Sequence, residues 1–140
     1  MIFALDTNTI SFLLRPQYNQ DVVDKWKEET RLDNAYVIPP VCYYETMWHL
    51  VRKGATAQNR TFQKIYQNSI KSAMIMTEAD FQKAAEIKAD FERRGIILGK
   101  NDFDILIAAY CIVNDYTLVT DNVSDFKRID GVKFVNWKEY

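Results

Sequence analysis

The sequence predicts a three-layer α/β/α sandwich, in which helices cover both faces of a mostly parallel sheet of about five strands. Short apolar runs alternate with longer amphipathic segments along the chain, which is the pattern of strands joined by helical crossovers. Only four Gly and three Pro occur in 140 residues, which argues against disorder and against a loop-rich β-sandwich. We therefore expect one domain that spans residues 1–140.

Five strands and six helices follow from the positions of these runs. The strands are expected at residues 2–5, 36–38, 73–76, 117–119 and 132–135. The helices are expected at about residues 7–14, 21–30, 40–54, 56–71, 77–94 and 104–113. Residues 105–113 are apolar without interruption, which predicts a central, buried helix.

Local signals mark several helix ends and faces. Thr7 and Asn8 can cap the first helix, and Thr77 opens a segment that resembles a capping box. The helix that follows the Pro-Pro pair carries four large side chains at helical spacing, which are expected to face the core: Val41, Tyr44, Trp48 and Val51.

Charge and cysteine content limit the classes of protein that the chain can represent. The formal net charge is −1 and the sequence pI is about 5.8, so binding of nucleic acid would depend on local patches. Cys42 and Cys111 lie in apolar helical runs and are expected to be free thiols in a reduced cytoplasm. The apolar N-terminus has no basic lead and is interrupted by Asp6, so we expect neither a signal peptide nor a membrane span.

Two aspartates directly follow predicted strands. Asp6 follows the first strand, and Asp121 comes just after the strand at 117–119. In open parallel sheets, ligands gather outside the carboxyl ends of the strands. Both aspartates are therefore expected on that edge.

Two further acids occupy helices beside apolar residues. Asp104 begins the central helix, where the helix dipole does not offset the several kcal/mol that it costs to remove an unpaired charge from water. Asn101 and Asp102 are better placed to cap that helix, which favours a site role for Asp104. Glu45 borders an apolar helix face, and taken alone it would be an edge residue that pairs with Arg52 or Lys53.

Four acids on one edge of a sheet would form a cation site. Two like charges about 4 Å apart repel by roughly 4 kcal/mol at an effective dielectric constant of 20. Such a cluster takes up protons or binds cations, and carboxylate oxygens are ligands that Mg²⁺ and Mn²⁺ prefer. The reaction that this suggests is metal-assisted hydrolysis of a phosphodiester. Other chemistries are poorly supported. The single histidine, His49, lies about two helical turns from Cys42, which is too far for a nucleophile and its base, and no P-loop or CxxC motif is present.

Four segments resemble the PIN-domain family, and within it the VapC-type toxins of bacterial toxin–antitoxin pairs. Residues 5–8 read LDTN, and residues 104–109 read DILIAA, which is similar to the family's D-x-L-I-A-A motif. Residues 118–121 read LVTD and are followed by Asp125-Phe126, as in the family's last motif. Glu45 stands in the helix where the family keeps a glutamate. The resemblance covers essentially the whole chain.

The resemblance implies an endoribonuclease that leaves a 5′-phosphate. It implies that Asp6, Glu45, Asp104 and Asp121 hold Mg²⁺ or Mn²⁺, with Asn8 or Thr120 assisting nearby. It further implies a substrate such as tRNA or rRNA, inhibition by a small antitoxin protein, and a homodimer. Asp102 adds an acid that is either a supporting group or a helix cap, and the cap is the preferred interpretation. The Pro-Pro-Val-Cys entry to the Glu45 helix departs from the serine or threonine expected there.

Binding of RNA would need cations near the acidic edge. The candidates are helix-borne residues whose ordinary role is a solvated surface: Arg52, Lys53, Arg60, Lys64, Lys71, Arg93 and Arg94. Tyr43 and Phe103 are aromatic residues that could stack bases, although such residues are more often part of a core.

Other functions remain open at the level of sequence. A housekeeping RNA-processing nuclease of the same family would carry the same residues, and a non-catalytic RNA-binding or protein-binding module would keep the fold. A magnesium-dependent aspartyl phosphatase would use Asp6 as nucleophile, but that class has a second aspartate where Asn8 stands here.

Overall fold

The computed structural model describes residues 1–70, 75–99 and 102–140. The strands are β1 (Ile2–Leu5), β2 (Ala35–Val37), β3 (Thr117–Val119) and β4 (Lys133–Val135). The helices are α1 (Thr7–Leu13), α2 (Gln20–Arg31), α3 (Pro40–Lys53), α4 (Thr56–Ser69), α5 (Glu78–Arg93), α6 (Phe103–Asn114) and α7 (Val123–Phe126), with a 3₁₀ turn at Pro16–Tyr18.

The four strands form one parallel sheet in the order β2-β1-β3-β4. Phe3 pairs with Tyr36 on one side and with Thr117 on the other, so β1 lies at the centre. All three residues of β3 are buried, and successive residues of a strand point to opposite faces. Both faces of the sheet are therefore covered, which confirms the predicted three-layer α/β/α arrangement.

One predicted strand is only partly within the described residues. Residues 73 and 74 of the strand expected at 73–76 lie outside them, and Ile75 and Met76 are not in a strand. Ile70 makes an isolated parallel bridge to Tyr36, which continues the sheet beyond β2. The described residues thus contain four strands and one bridge, close to the five strands expected.

The central helix is buried as predicted. α6 buries Ile105, Ile107 and the run from Ala108 to Cys111, and it packs along α5. Thr77 caps α5 in a capping box, because its hydroxyl accepts from the Asp80 N–H while the Asp80 carboxylate accepts from the Thr77 N–H. The capping-box prediction is confirmed.

The inward face predicted for α3 was wrong except at Val41, which is partly buried against the core. Tyr44, Trp48 and Val51 are exposed, and α3 instead buries Cys42, Thr46 and Leu50. Both faces of this helix carry apolar residues, so spacing alone did not identify the side that meets the core. The helix ends at Gly54, whose φ of +60° is the left-handed conformation common after a helix.

Both cysteines are free and buried, as expected. Burial raises the pKa of the Cys42 thiol, and the negative charge of Asp6 adds to this effect. Within the described part of the chain, no helix is both long enough and apolar enough to span a membrane.

Candidate active site

Asp6 lies at the carboxyl end of the central strand and caps the following helix. Its carboxylate accepts a hydrogen bond from the Thr9 N–H at 2.8 Å, and Asp6 is the N-cap residue of α1. The expectation that Thr7 and Asn8 cap this helix was therefore wrong. Asp6 follows the last residue of β1 and precedes the first residue of α1, so its capping bond fixes it at the junction of the two elements.

The environment of Asp6 opposes its negative charge. The residue is only 7% exposed, and the pKa of its carboxyl is raised from 3.8 to about 6, chiefly by burial. Within this net shift, hydrogen bonds from Thr120 and Thr9 lower the pKa, and the negative charge of Asp121 raises it. Thr120 accepts from the Asn122 N–H at 3.0 Å, which leaves its own hydroxyl proton available to Asp6.

Glu45 reaches the same region from α3. The Thr7 hydroxyl donates to Glu45 Oε1 at 2.9 Å, which joins the start of α1 to the middle of α3. Arg52, one of the partners considered for an edge glutamate, instead lies against His49 at 2.9 Å. The Glu45 carboxylate is thus held toward Asp6 by a neutral donor.

Asp104 lies in the first turn of α6 and is half-buried. Burial raises the pKa of its carboxyl, and the charges of Asp125 and Glu45 raise it further. Asp104 therefore shares an electrostatic environment with acids from two other elements.

Three of the four predicted acids line one pocket, which we call the acidic pocket. It has a volume of about 120 Å³ and is lined by Asp6, Thr7, Asn8, Glu45, Asp104, Ile107, Asn122 and Phe126. Asp6, Glu45 and Asp104 come from the β1–α1 junction, α3 and α6, so residues far apart in the chain meet at the carboxyl edge of the sheet. The strand order places β1 between β2 and β3, so the connections from neighbouring strands run in opposite directions along the sheet at this point. Open parallel sheets bind ligands at the carboxyl ends of the strands where the strand order reverses.

Asp121 lies at the edge of the acidic pocket and is not among its lining residues. Asn8 Nδ2 donates to Asp121 Oδ1 at 3.0 Å, and the Tyr140 hydroxyl donates to Asp121 Oδ2 at 2.7 Å. The structure thus brings Asn8 and Thr120 next to the acids, with Asn8 on Asp121 and Thr120 on Asp6.

Asp102 does not cap α6 with its side chain. It occupies the N-cap position without a capping hydrogen bond, and its carboxylate instead pairs with Lys88 at 2.8 Å. The preferred interpretation of Asp102 as the cap is thus confirmed for its position, but the capping hydrogen bond expected from its side chain is not formed. Asn101, the other candidate cap, lies outside the described residues.

A family model for the PIN domain matches residues 3–132. The chain belongs to the PIN-domain family. It is 27% identical over 137 residues to Ribonuclease VapC2 of Rickettsia felis, an alignment that covers 98% of each chain.

Solved structures share the fold of this PIN domain. VapBC2 from Rickettsia felis, bound to a DNA fragment from its promoter, matches with a TM-score of 0.82 and 24% identity over 99% of this chain and 100% of that chain. FitAcB from Neisseria gonorrhoeae matches with a TM-score of 0.71 and 25% identity over 98% of each chain.

The donors of the acidic pocket fit a hard divalent cation. Among residues 1–70, 75–99 and 102–140, no three acidic, histidine or cysteine side chains are grouped closely enough to enclose an ion by themselves. Mg²⁺ keeps several water ligands and takes only one or two carboxylates directly, so a shared pocket suits it better than a closed protein shell. The PIN domain thus presents carboxylates around a space in which water could complete the ligand set of such an ion.

Several residues at the site of this PIN domain were not among the predicted site residues, and three of them act on the predicted acids through their side chains. Thr7 orients Glu45, Asp125 adds negative charge beside Asp104, and Tyr140 holds Asp121. Thr7 and Asp125 lie inside the quoted motifs, so the motifs could have indicated them. Tyr140 has no local signal, because its contact depends on the path of the segment that follows β4.

Few of the candidate RNA-contacting residues lie near the acidic pocket. Arg93 and Arg94 pair with Asp90 on α5, and Lys71 lies outside the described residues. Tyr43 packs against Phe62 and Tyr66 and so belongs to the interior. Arg52 and Lys53 do line a pocket beside the acidic one.

Proposed function

We propose that this PIN domain is a metal-dependent endoribonuclease and the toxin of a toxin–antitoxin pair. The observation that carries the proposal is the meeting of Asp6, Glu45 and Asp104 around one pocket at the carboxyl edge of the sheet. The similarity to Ribonuclease VapC2 supports RNA as the substrate.

In this proposal Asp6, Glu45 and Asp104 hold Mg²⁺ or Mn²⁺, and Asp121 assists from the edge of the pocket. The bound ion would supply an acidified water and positive charge for hydrolysis of the phosphodiester. Thr7 keeps Glu45 turned toward Asp6, while the Thr9 N–H and the Thr120 hydroxyl keep the Asp6 carboxylate in place. Asn8 and Tyr140 hold Asp121 from two sides.

The proposed substrate is a single-stranded loop of tRNA or rRNA, and the proposed place of action is the cytoplasm, where such RNA lies. The proposed protein partners are a small antitoxin and a second copy of this chain. Tyr44, Trp48 and Val51 give α3 an exposed apolar surface of the kind that protein partners cover.

Cleavage assays with the purified protein test the nuclease proposal. We expect RNA cleavage with added Mg²⁺ or Mn²⁺, products with 5′-phosphates, and loss of cleavage on chelation. Asp104→Asn should abolish cleavage while the circular dichroism spectrum stays that of the wild type. Full cleavage by Asp104→Asn would contradict the proposal.

Expression in bacteria tests the toxin role separately. The wild type should arrest growth, Asp104→Asn should not, and co-expression of a short neighbouring reading frame should restore growth. Unimpaired growth with an enzyme that is active in vitro would favour the housekeeping role.

A further inference from the structure

A second pocket adjoins the acidic pocket and differs from it in charge. It lies between α1 and α3, has a volume of about 210 Å³, and shares Thr7 and Asn8 with the acidic pocket. Its lining residues are Thr7, Asn8, Ser11, Leu14, Thr46, His49, Leu50, Arg52, Lys53 and Gln58. We call it the α1–α3 pocket. Its described lining contains two cations and no acid, so an anion is the complementary ligand.

Arg52 is held in place at this pocket. Its guanidinium lies 4.5 Å from the centre of the Trp48 ring, and its Nη2 lies 2.9 Å from His49 Nδ1. Because a guanidinium can only donate, His49 Nδ1 accepts this bond. A guanidinium has five N–H donors, so this bond leaves others for a ligand. Arg52 and Lys53 also complement the dipole at the end of α3, but this role would not require a pocket.

Thr46 gives an independent indication of a ligand. It is 4% exposed, it lines the α1–α3 pocket, and its Oγ1 is buried without a hydrogen-bond partner among the described residues. An unpartnered buried hydroxyl costs free energy, since it has lost its bonds to water without replacing them. A ligand that forms a hydrogen bond with this hydroxyl would explain why the free protein leaves it without a partner.

We propose that the α1–α3 pocket binds a backbone phosphate of the RNA strand, next to the phosphodiester that lies over the acidic pocket. The inference rests on the proposed nuclease function and adds to it a site that positions the substrate. Arginine, lysine, threonine, serine, asparagine and glutamine are among the side chains that contact phosphates in nucleic-acid complexes, and each of these six types lines the pocket. The two shared residues place this phosphate beside the acids, because Thr7 and Asn8 face both spaces.

RNA binding by a non-cleaving protein tests the proposal. In the Asp104→Asn background, fluorescence anisotropy would follow a short labelled single-stranded RNA of mixed sequence across a salt series. Arg52→Ala combined with Lys53→Ala should weaken binding by about ten-fold and reduce the slope of log affinity against log salt concentration by about 0.7 for each phosphate that is no longer neutralised. The matched control is Arg60→Ala combined with Lys64→Ala, which removes the same charges from exposed positions on α4 that line neither pocket. Equal effects of the two double variants would overturn the proposal.

Thr46→Val separates a ligand contact from a structural role. It removes the unpartnered hydroxyl at nearly constant shape, so the melting temperature should rise by a few degrees while RNA binding weakens about three-fold or more. Thr46→Ser keeps the hydroxyl and should bind RNA as the parent does. Unchanged RNA binding by Thr46→Val would overturn the proposal.

The chemical class of the ligand is tested with the RNA itself. Replacement of single phosphodiesters by neutral methylphosphonates should weaken binding at one position next to the cleavage site, and the Arg52/Lys53 variant should no longer sense that replacement. Two results together would overturn the proposal in favour of a protein partner. The Arg52/Lys53 variant would bind RNA as its parent does, and it would no longer bind an acidic peptide that the parent binds.

Wild-type cleavage distinguishes the failure of the phosphate site from the failure of the nuclease function. If the wild type cleaves RNA but the pocket variants bind like the control, the phosphate site fails and the nuclease function stands. If the wild type does not cleave but the variants differ as expected, the nuclease function fails and the phosphate site stands.

Discussion

Two aspartates are buried near helix starts, and their surroundings differ in a way that separates a site residue from a structural one. Asp80 is fully buried and accepts from the Thr77 N–H at 2.9 Å and from Asn114 Nδ2 at 3.0 Å. Asp6 accepts from the Thr9 N–H at 2.8 Å and lies beside the Thr120 hydroxyl, but it shares its pocket with Glu45 and Asp104. Burial alone therefore does not identify a functional acid. The neighbouring negative charges favour the metal-binding role that we propose for Asp6.

The hydrogen-bond partners of the two carboxylates also differ in whether they can accept as well as donate. Both partners of Asp80 are N–H donors, which cannot reverse their role. One partner of Asp6 is the Thr120 hydroxyl, which can accept as well as donate. An asparagine would therefore lose a bond at position 80, whereas at position 6 its oxygen could accept from the Thr9 N–H and its NH₂ could donate to the second lone pair of the Thr120 hydroxyl.

The largest expected difference between the two positions is in RNA cleavage. Asp6→Asn should lower kcat/KM by more than about 100-fold, since loss of an outer metal partner alone costs about 10-fold to 100-fold. Asp80→Asn should retain wild-type cleavage per folded molecule, because Asp80 lines no part of the acidic pocket. Initial rates at saturating Mn²⁺, with the folded fraction measured by circular dichroism, compare the two. Similar losses in both variants would remove the distinction.

The stabilities of the same variants should change in opposite directions. At neutral pH, Asp6→Asn relieves a buried charge and should raise the free energy of unfolding by on the order of 3 kcal/mol. Asp80→Asn leaves a buried donor unsatisfied and should lower it by about 1–3 kcal/mol. Urea denaturation monitored by fluorescence measures both. Destabilisation by Asp6→Asn comparable to that of Asp80→Asn would indicate that Asp6 is structural.

The pH dependence of stability sharpens the contrast at Asp6. Its pKa is raised from 3.8 to about 6 in the folded protein, so the folded state holds this proton more tightly than the unfolded chain. The contribution of this group to stability therefore falls as pH rises through that interval, by on the order of 3 kcal/mol. The free energy of unfolding of Asp6→Asn should exceed that of the wild type only slightly near pH 4. This difference should grow up to about pH 6 and then stay constant. Denaturation curves across this range measure it, and a difference that is independent of pH would contradict the assignment.

A smaller effect is expected from the hydroxyl that orients Glu45. Thr7→Val removes the donor to Glu45 Oε1 and should reduce cleavage about ten-fold, whereas Thr7→Ser should retain it. The control is Thr61→Val, whose hydroxyl bonds only to a backbone carbonyl on an exposed part of α4. If Thr7→Val cleaves like Thr61→Val, Thr7 does not position Glu45.

The sequence predicted the elements that depend on local pattern. β1, β3 and the buried helix α6 were predicted because continuous apolar runs have few alternatives in a covered parallel sheet. Asp6 and Asp121 were placed on the correct edge, since they directly follow neighbouring parallel strands.

The features that sequence reasoning missed depend on tertiary contacts. α3 carries apolar residues on two sides, and only packing against the rest of the fold determined that Thr46 and Leu50 are buried while Trp48 is exposed. Asp102 could cap α6, but Lys88 on a neighbouring helix takes its carboxylate. Tyr140 meets Asp121 across 19 positions of the chain, a distance that no periodicity spans.

Equilibrium binding of Mn²⁺ tests the central claim most directly. Titration followed by electron paramagnetic resonance would compare the wild type, Asp6→Asn, Asp104→Asn and Asp80→Asn, all folded and without RNA. We expect the wild type and Asp80→Asn to bind the ion, and the affinity of Asp6→Asn and Asp104→Asn to fall by more than about ten-fold. Equal affinity in all four proteins would show that the carboxylates at the edge of the sheet do not hold the metal.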